Sequence, residues 1–302
     1  MAKTKKTLIN ALSVAFFLTI VGIGSVFDSN AAGWKFIGIE IDYQREAVSY
    51  KKSCDSGSIR ECYLLGTLYK EGLGVKKNYT KAANLYKKAC DGGFIEGCTA
   101  LGNLYLRGLG VKKNYTKATN LYKKAANLFK KACDEGDSLR CNNLGDLYKK
   151  GLGVEQSYTK ATFFYKKACD GNAPIGCYNL GHLYLKEVFI GLMYIEKKNY
   201  TKAANLFKEA CNGGCMLGCV HLGNLYDKGL GVEQDWLKAV KLYEKACNNG
   251  CGAGCNELGV MFYEGGYKIK AYQYWMKAAR LGSTEAQHNL DILCKESPWA
   301  CK

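Results

Sequence analysis

Histidine is nearly missing from this sequence: His182, His221 and His288 are the only three in 302 residues. None stands in an H-E-x-x-H string and no carboxylate cluster accompanies them, so the chain gives no basis for a metallo-hydrolase. The S-D-N and K-T-G strings that complete a serine acyl-transfer site are also missing. Acidic residues are short, 27 against 43 basic ones, which leaves a formal charge of +16. A long apolar run occurs once, near the start, so the rest of the chain is expected to be water-soluble. What is present, 48% apolar and 23% charged residues, excludes global disorder.

The first 31 residues carry Lys3, Lys5 and Lys6, then an uncharged apolar run from Leu8 to Phe27, then Asp28 to Ala31. That order reads as a secretory signal cleaved after Ala31, with cleavage near Gly24 or an uncleaved anchor as alternatives. The expected organisation is a signal at 1–31, an N-terminal capping helix at 32–57, a repeat array at 58–283 and a C-terminal capping helix at 284–302. A secreted or periplasmic location follows, and sixteen cysteines fit such an oxidising compartment.

Six cysteine pairs stand eight positions apart: Cys54 and Cys62, Cys90 and Cys98, Cys133 and Cys141, Cys169 and Cys177, Cys211 and Cys219, Cys247 and Cys255. Their first members are separated by 36, 43, 36, 42 and 36 residues, a 36-residue repeat with two insertions. Periods of this size mean stacked supersecondary units. Leucines three positions after the second cysteine and tyrosines seven after it, such as Leu65 and Tyr69, mark one helix face. Gly66, Gly102, Gly145, Gly181, Gly223 and Gly259, at offset four, point to close helix packing.

A second helix follows each loop. Asn78, Asn114, Ser157, Asn199 and Asp235 precede it, all with side-chain oxygens suited to capping a first turn. The fold class predicted is therefore all-α, a solenoid of helical hairpins. Each cysteine pair joins the end of one helix to the start of the next, within disulfide reach; zinc is the weaker reading because its cysteine pairs sit closer together. Cys294 and Cys301 are expected to seal the last helix. Cys215 and Cys251, 36 residues apart, fall outside the pairing and are left as a cross-repeat bridge, free thiols or a metal site.

Two insertions interrupt the repeat. NLYKKAA followed by NLFKKAC, within residues 115–133, lengthens one second helix by seven residues, which should simply protrude. VFIGLMYI, at 188–195, is either an exposed contact patch or tucked core.

The unit C-x7-C-x2-L-G-x-L-Y-x2-G-x-G-V-x3-Y-x-K-A-x2-L-Y-K-K-A-C resembles a Sel1-like repeat, a relative of the tetratricopeptide repeat. With its eight-apart cysteines it looks like the Helicobacter cysteine-rich protein family, over roughly residues 42 to 302. The resemblance implies a secreted right-handed superhelix of α-hairpins, in a family described as penicillin-binding proteins or slow β-lactamases, with no catalytic residues to carry over. Of the two S-x-x-K strings, Ser157 to Lys160 is a product of the repeat and Ser49 to Lys52 has no partner motifs. The G-x-G of GLGV lies between helices and reads as a turn. No cofactor or metal is called for.

A working surface is expected along the first helices, at offsets two, five and nine from the second cysteine, where residues vary between units. Its candidates are Asn103, Asn143, Asp146, Asn179, His182, His221 and Asn224, flanked by charged positions such as Lys150 and Lys228. Expected partners are a peptide, a peptidoglycan fragment or β-lactam, or a host protein; export argues against nucleic acid despite the basic charge.

Overall fold

The computed structural model describes residues 37–190 and 197–301. Residues 1–36, which include the expected signal, and residues 191–196 of the second insertion lie outside the described residues. The chain divides into two compact units, one Ile23–Phe164 and the other containing Tyr165–Lys302.

The first unit holds α1 (Ile37–Asp55), α2 (Ile59–Glu71), α3 (Tyr79–Asp91), α4 (Ile95–Arg107), α5 (Tyr115–Asp134) and α6 (Ser138–Lys150), and the division falls within α7 (Tyr158–Asp170). The second unit continues with α8 (Pro174–Ile190), α9 (Lys197–Asn212), α10 (Met216–Lys228), α11 (Trp236–Asn248), α12 (Gly252–Glu264), α13 (Lys268–Arg280), α14 (Thr284–Glu296) and a 3-10 turn, Pro298–Cys301. Among the described residues there is no strand, and no helix is long and apolar enough to cross a membrane.

Local chemistry sets the boundaries. The amides of Lys81, Lys117, Lys160 and Lys238 donate to the side-chain oxygens of Asn78, Asn114, Ser157 and Asp235, satisfying first-turn donors. Asn199 departs from this pattern, because α9 already runs from Lys197 and places it inside the first turn. In the loop after α2, Gly72 ends the helix at φ 79°. Gly74 lies so close to the backbone of Tyr43 that a Cβ there would stand 2.3 Å from its carbonyl carbon. The loop is thus a turn docked on the preceding second helix.

Within a hairpin, the offset-four glycine lies under an aromatic ring of the second helix. A Cβ on Gly66, Gly102, Gly181, Gly223 or Gly259 would meet the rings of Tyr86, Tyr122, Phe207, Tyr243 or Trp275 at 3.0 Å or less. Those rings, with alanines such as Ala82, Ala203 and Ala239, are almost wholly buried and make the core of each hairpin. Burying such an aromatic contributes about 1.5–3 kcal/mol.

The lysines are not all free surface charge. Lys88, Lys124 and Lys245 donate to the carbonyls of Cys54, Cys90 and Cys211, which end the preceding second helices. Lys81, Lys117, Lys160, Lys202 and Lys238 lie 5.0 to 5.4 Å over the rings of Tyr69, Tyr105, Tyr148, Tyr184 and Tyr226. The lysine of the second S-x-x-K string therefore has the same place as its counterparts in other repeats.

Candidate functional site

All seven expected cysteine pairings are present. The six eight-apart pairs have Cα separations of 4.6 or 4.7 Å. Cys294 and Cys301 are joined at 5.6 Å. Each of the six ties the last turn of one helix to the first turn of the next, across a short turn. Cys215 and Cys251 are unbridged, at the N-caps of α10 and α12. Glu209 lies beside Cys169 and Cys177, but those sulfurs are bonded to one another and are not metal ligands.

The expected surface residues take three different places. In three hairpins the offset-five residue is engaged by its own second helix: Tyr122 donates to Asn103 Oδ1 at 2.8 Å and Tyr243 to Asn224 Oδ1 at 2.6 Å. Thr67 and Tyr86 share the same link at 3.2 Å. Burial pushes the Tyr122 phenol up to about 12, so it remains a donor at neutral pH.

The second place is a cleft in the first unit, about 270 Å³, between α4 and α6. Asn103, Asn143 and Asp146 line it together with Glu96, Thr99 and Lys150, and Tyr122 and Phe129 of α5 form its apolar part. The seven inserted residues create it. Ordinarily the loop after a first helix docks near the start of the preceding second helix, as Gly110 does at Tyr79 of α3. After α6 the corresponding Gly153 docks at Tyr122 and Lys123, one heptad further along α5, while α4 still packs on Tyr122 through Gly102. The extra residues add about 10 Å to α5 at 1.5 Å per residue. This corrects the expectation of a protruding helix: Ala125, Ala126 and Phe129 are buried, and Tyr115, at the vacated docking position, is 60% exposed.

Arg140 contacts two of the lining residues, Phe129 and Glu96. It occupies the position where α4, α8, α10 and α12 have Gly97, Gly176, Gly218 and Gly254 against a neighbouring helix. Its side chain instead lies over Phe129 and pairs with Glu96 across the gap. The other oxygen of Glu96 is buried with no hydrogen-bond partner.

The third place is in the second unit, where His182 of α8 and His221 of α10 meet with Nε2 atoms 3.1 Å apart. Tyr178, absent from the expected set, brings its hydroxyl to 3.4 Å from His221 Nε2. Burial, and secondarily His182, lower the His221 pKa to about 4, so its imidazole is neutral at pH 7. Asn179 is half-buried on the same helix. Sequence held one signal for this pairing: in the hairpin that carries His182, Phe207 stands where Tyr86, Tyr122, Tyr165 and Tyr243 stand in other units. The phenyl ring has no hydroxyl to give the offset-five residue.

Neither S-x-x-K serine has acyl-transfer geometry. Ser157 accepts the Lys160 amide as a helix cap, and Ser49 and Lys52 are both exposed on α1.

The Sel1 repeat model matches six segments: 62–94, 95–128, 141–172, 174–215, 217–251 and 252–283. The chain belongs to the Sel1 repeat family. A Sel1 repeat protein from Oxalobacter formigenes is similar in structure at 25% identity, with a TM-score of 0.55, covering 85% of this chain and 95% of the other. A protective antigen of uropathogenic Escherichia coli with an SLR fold shares 24% identity at a TM-score of 0.50, and the alignment covers 82% of this chain but only 59% of the antigen. Cysteine-rich protein B of Helicobacter pylori is 29% identical over 46% of this chain and 96% of its own, with a TM-score of 0.36. No curated protein matches the chain. The Sel1 solenoid is thus the frame on which the cleft and the histidine pair are carried.

Proposed function

We propose that this Sel1 repeat protein is an exported interaction scaffold that binds an extended peptide, or the peptide part of a peptidoglycan fragment, in the cleft between α4 and α6. The observation that carries the reading is the lining of that cleft. Two carboxamides, Asn103 and Asn143, offer donors and acceptors suited to backbone amides; Asp146 and Lys150 supply charges of both signs; Phe129 and Tyr122 supply apolar contact. The staples support it by holding the first helices in place before a ligand arrives, which lowers the ordering cost of binding. Seven disulfides and the N-terminal apolar run support an extracellular or periplasmic setting.

The test is thermal denaturation of the oxidised chain with soluble muropeptides and with a peptide library. A ligand that binds the folded state alone stabilises it by about 2.7 kcal/mol at 100 times its dissociation constant. Asn143→Ala is expected to abolish the shift without lowering the melting temperature of the free protein. A shift unchanged by Asn143→Ala and Asp146→Ala places the ligand elsewhere. Turnover of a chromogenic cephalosporin with these residues irrelevant overturns the reading in favour of slow β-lactam hydrolysis.

A further inference from the structure

We propose that Tyr178, His182 and His221 bind one divalent transition-metal ion of the cobalt-to-zinc series. Tyr178 and His182 are four residues apart on α8, so they share a helix face, and their rings pack edge to face with centroids 4.6 Å apart. His221 arrives from α10, and its Nε2 lies 3.1 Å from His182 Nε2 and 3.4 Å from Tyr178 Oη.

These separations have a metal-site size. Imidazole nitrogens bind such ions at about 2.0–2.1 Å, so two neighbouring ligands at tetrahedral or right angles stand about 2.9–3.4 Å apart. Both separations fall in that span. Without an ion the same atoms are hydrogen-bonded, one Nε2 carrying the proton that the other accepts. On binding, that proton moves to Nδ1 of its own ring, and both Nε2 lone pairs face the ion. Tyr178 either ligates as the neutral phenol or releases its proton to solvent as it binds. With three protein ligands, a fourth position is left for water or an exogenous donor.

The surroundings hold the rings in place. Phe207 stacks on His221 with centroids 5.2 Å apart and meets His182 edge-on at 5.4 Å. A tyrosine there would present its hydroxyl to the offset-five residue, as Tyr122 does to Asn103 and Tyr243 to Asn224. Phenylalanine removes that competitor. The rival ligands are the unbridged thiols of Cys215 and Cys251.

The oxidised chain is titrated with zinc(II) by calorimetry and with cobalt(II) by visible absorption. One equivalent is expected, with a tetrahedral cobalt spectrum free of thiolate charge transfer. His182→Asn and His221→Asn each install a residue that other repeats already carry at the same offset, so both variants fold, and each is expected to weaken binding about tenfold or more. His288→Asn and the double change Cys215→Ser with Cys251→Ser leave it intact. Binding of undiminished affinity in either His→Asn variant, or its loss in the thiol variant alone, overturns the site.

Discussion

At the scale of single residues, the strongest statements come from the replacements that break the repeat. A six-fold array shows what a position ordinarily does, so Phe207 stands out where Tyr86, Tyr122, Tyr165 and Tyr243 are tyrosines, and it faces His182 in the same hairpin. The eight-apart cysteines and the offset-four glycines were legible for the same reason, since one residue type recurs under one steric or covalent demand. Tyr178 was not legible, because offset one is otherwise Tyr63, Thr99, Asn142, Val220 and Asn256, with no type to depart from. Two residue-level outcomes follow. The Cβ of Gly223→Ala would stand 2.5 Å from Tyr243 Cε1, so this change is expected to cost about 1–3 kcal/mol in denaturant melts. His221 has a folded pKa of about 4 against an ordinary 6.5. As pH falls below 6.5 the unfolded chain takes up the proton first, so stability is fully present above 6.5 and drops down to pH 4, by at most about 3 kcal/mol. His221→Asn removes that component from a melting-temperature profile over pH 4–7; an unchanged slope in the variant contradicts it.

At the scale of elements, the sequence announced the seven-residue duplication but not its consequence. A heptad returns the apolar stripe of a helix to nearly the same face, which says that the longer α5 keeps packing. It does not say which neighbour moves. The answer lay in two docking points, Gly102 on Tyr122 and Gly153 on the same Tyr122, which are separated by seven residues in the unextended case of Gly66 on Tyr86 and Gly110 on Tyr79. The Arg140 position adds to it, since an arginine cannot make the close backbone approach that Gly97 makes. Deleting residues 120–126 is expected to return α5 to the length of its counterparts, keep the far-ultraviolet circular dichroism of a helical protein and abolish peptide or muropeptide binding. Binding retained by the deletion variant contradicts the assignment of the cleft.

At the scale of the whole molecule, each hairpin buries a small core of one or two aromatic rings, leucines and alanines, and the staples add to it. Closing a nine-residue loop contributes about 2–3 kcal/mol per bridge, by a mechanism whose entropic share is disputed. Their vulnerability differs with exposure. Ten of the twelve eight-apart cysteines are 2% exposed or less, whereas Cys169, Cys294 and Cys301 are half-buried. A graded reductant series with alkylation is expected to open Cys294–Cys301 and Cys169–Cys177 before the other five. The all-α class, the period and the staples were readable from one spacing rule; the two surface features were not, because they depend on which side chains neighbouring repeats bring together. The measurement that tests the account most directly is a non-reducing peptide map of the oxidised chain. Seven linkages, six of them eight residues apart and one joining Cys294 to Cys301, with Cys215 and Cys251 open to alkylation, are the expected result; eight-apart thiols found free, or linked across repeats, would contradict it.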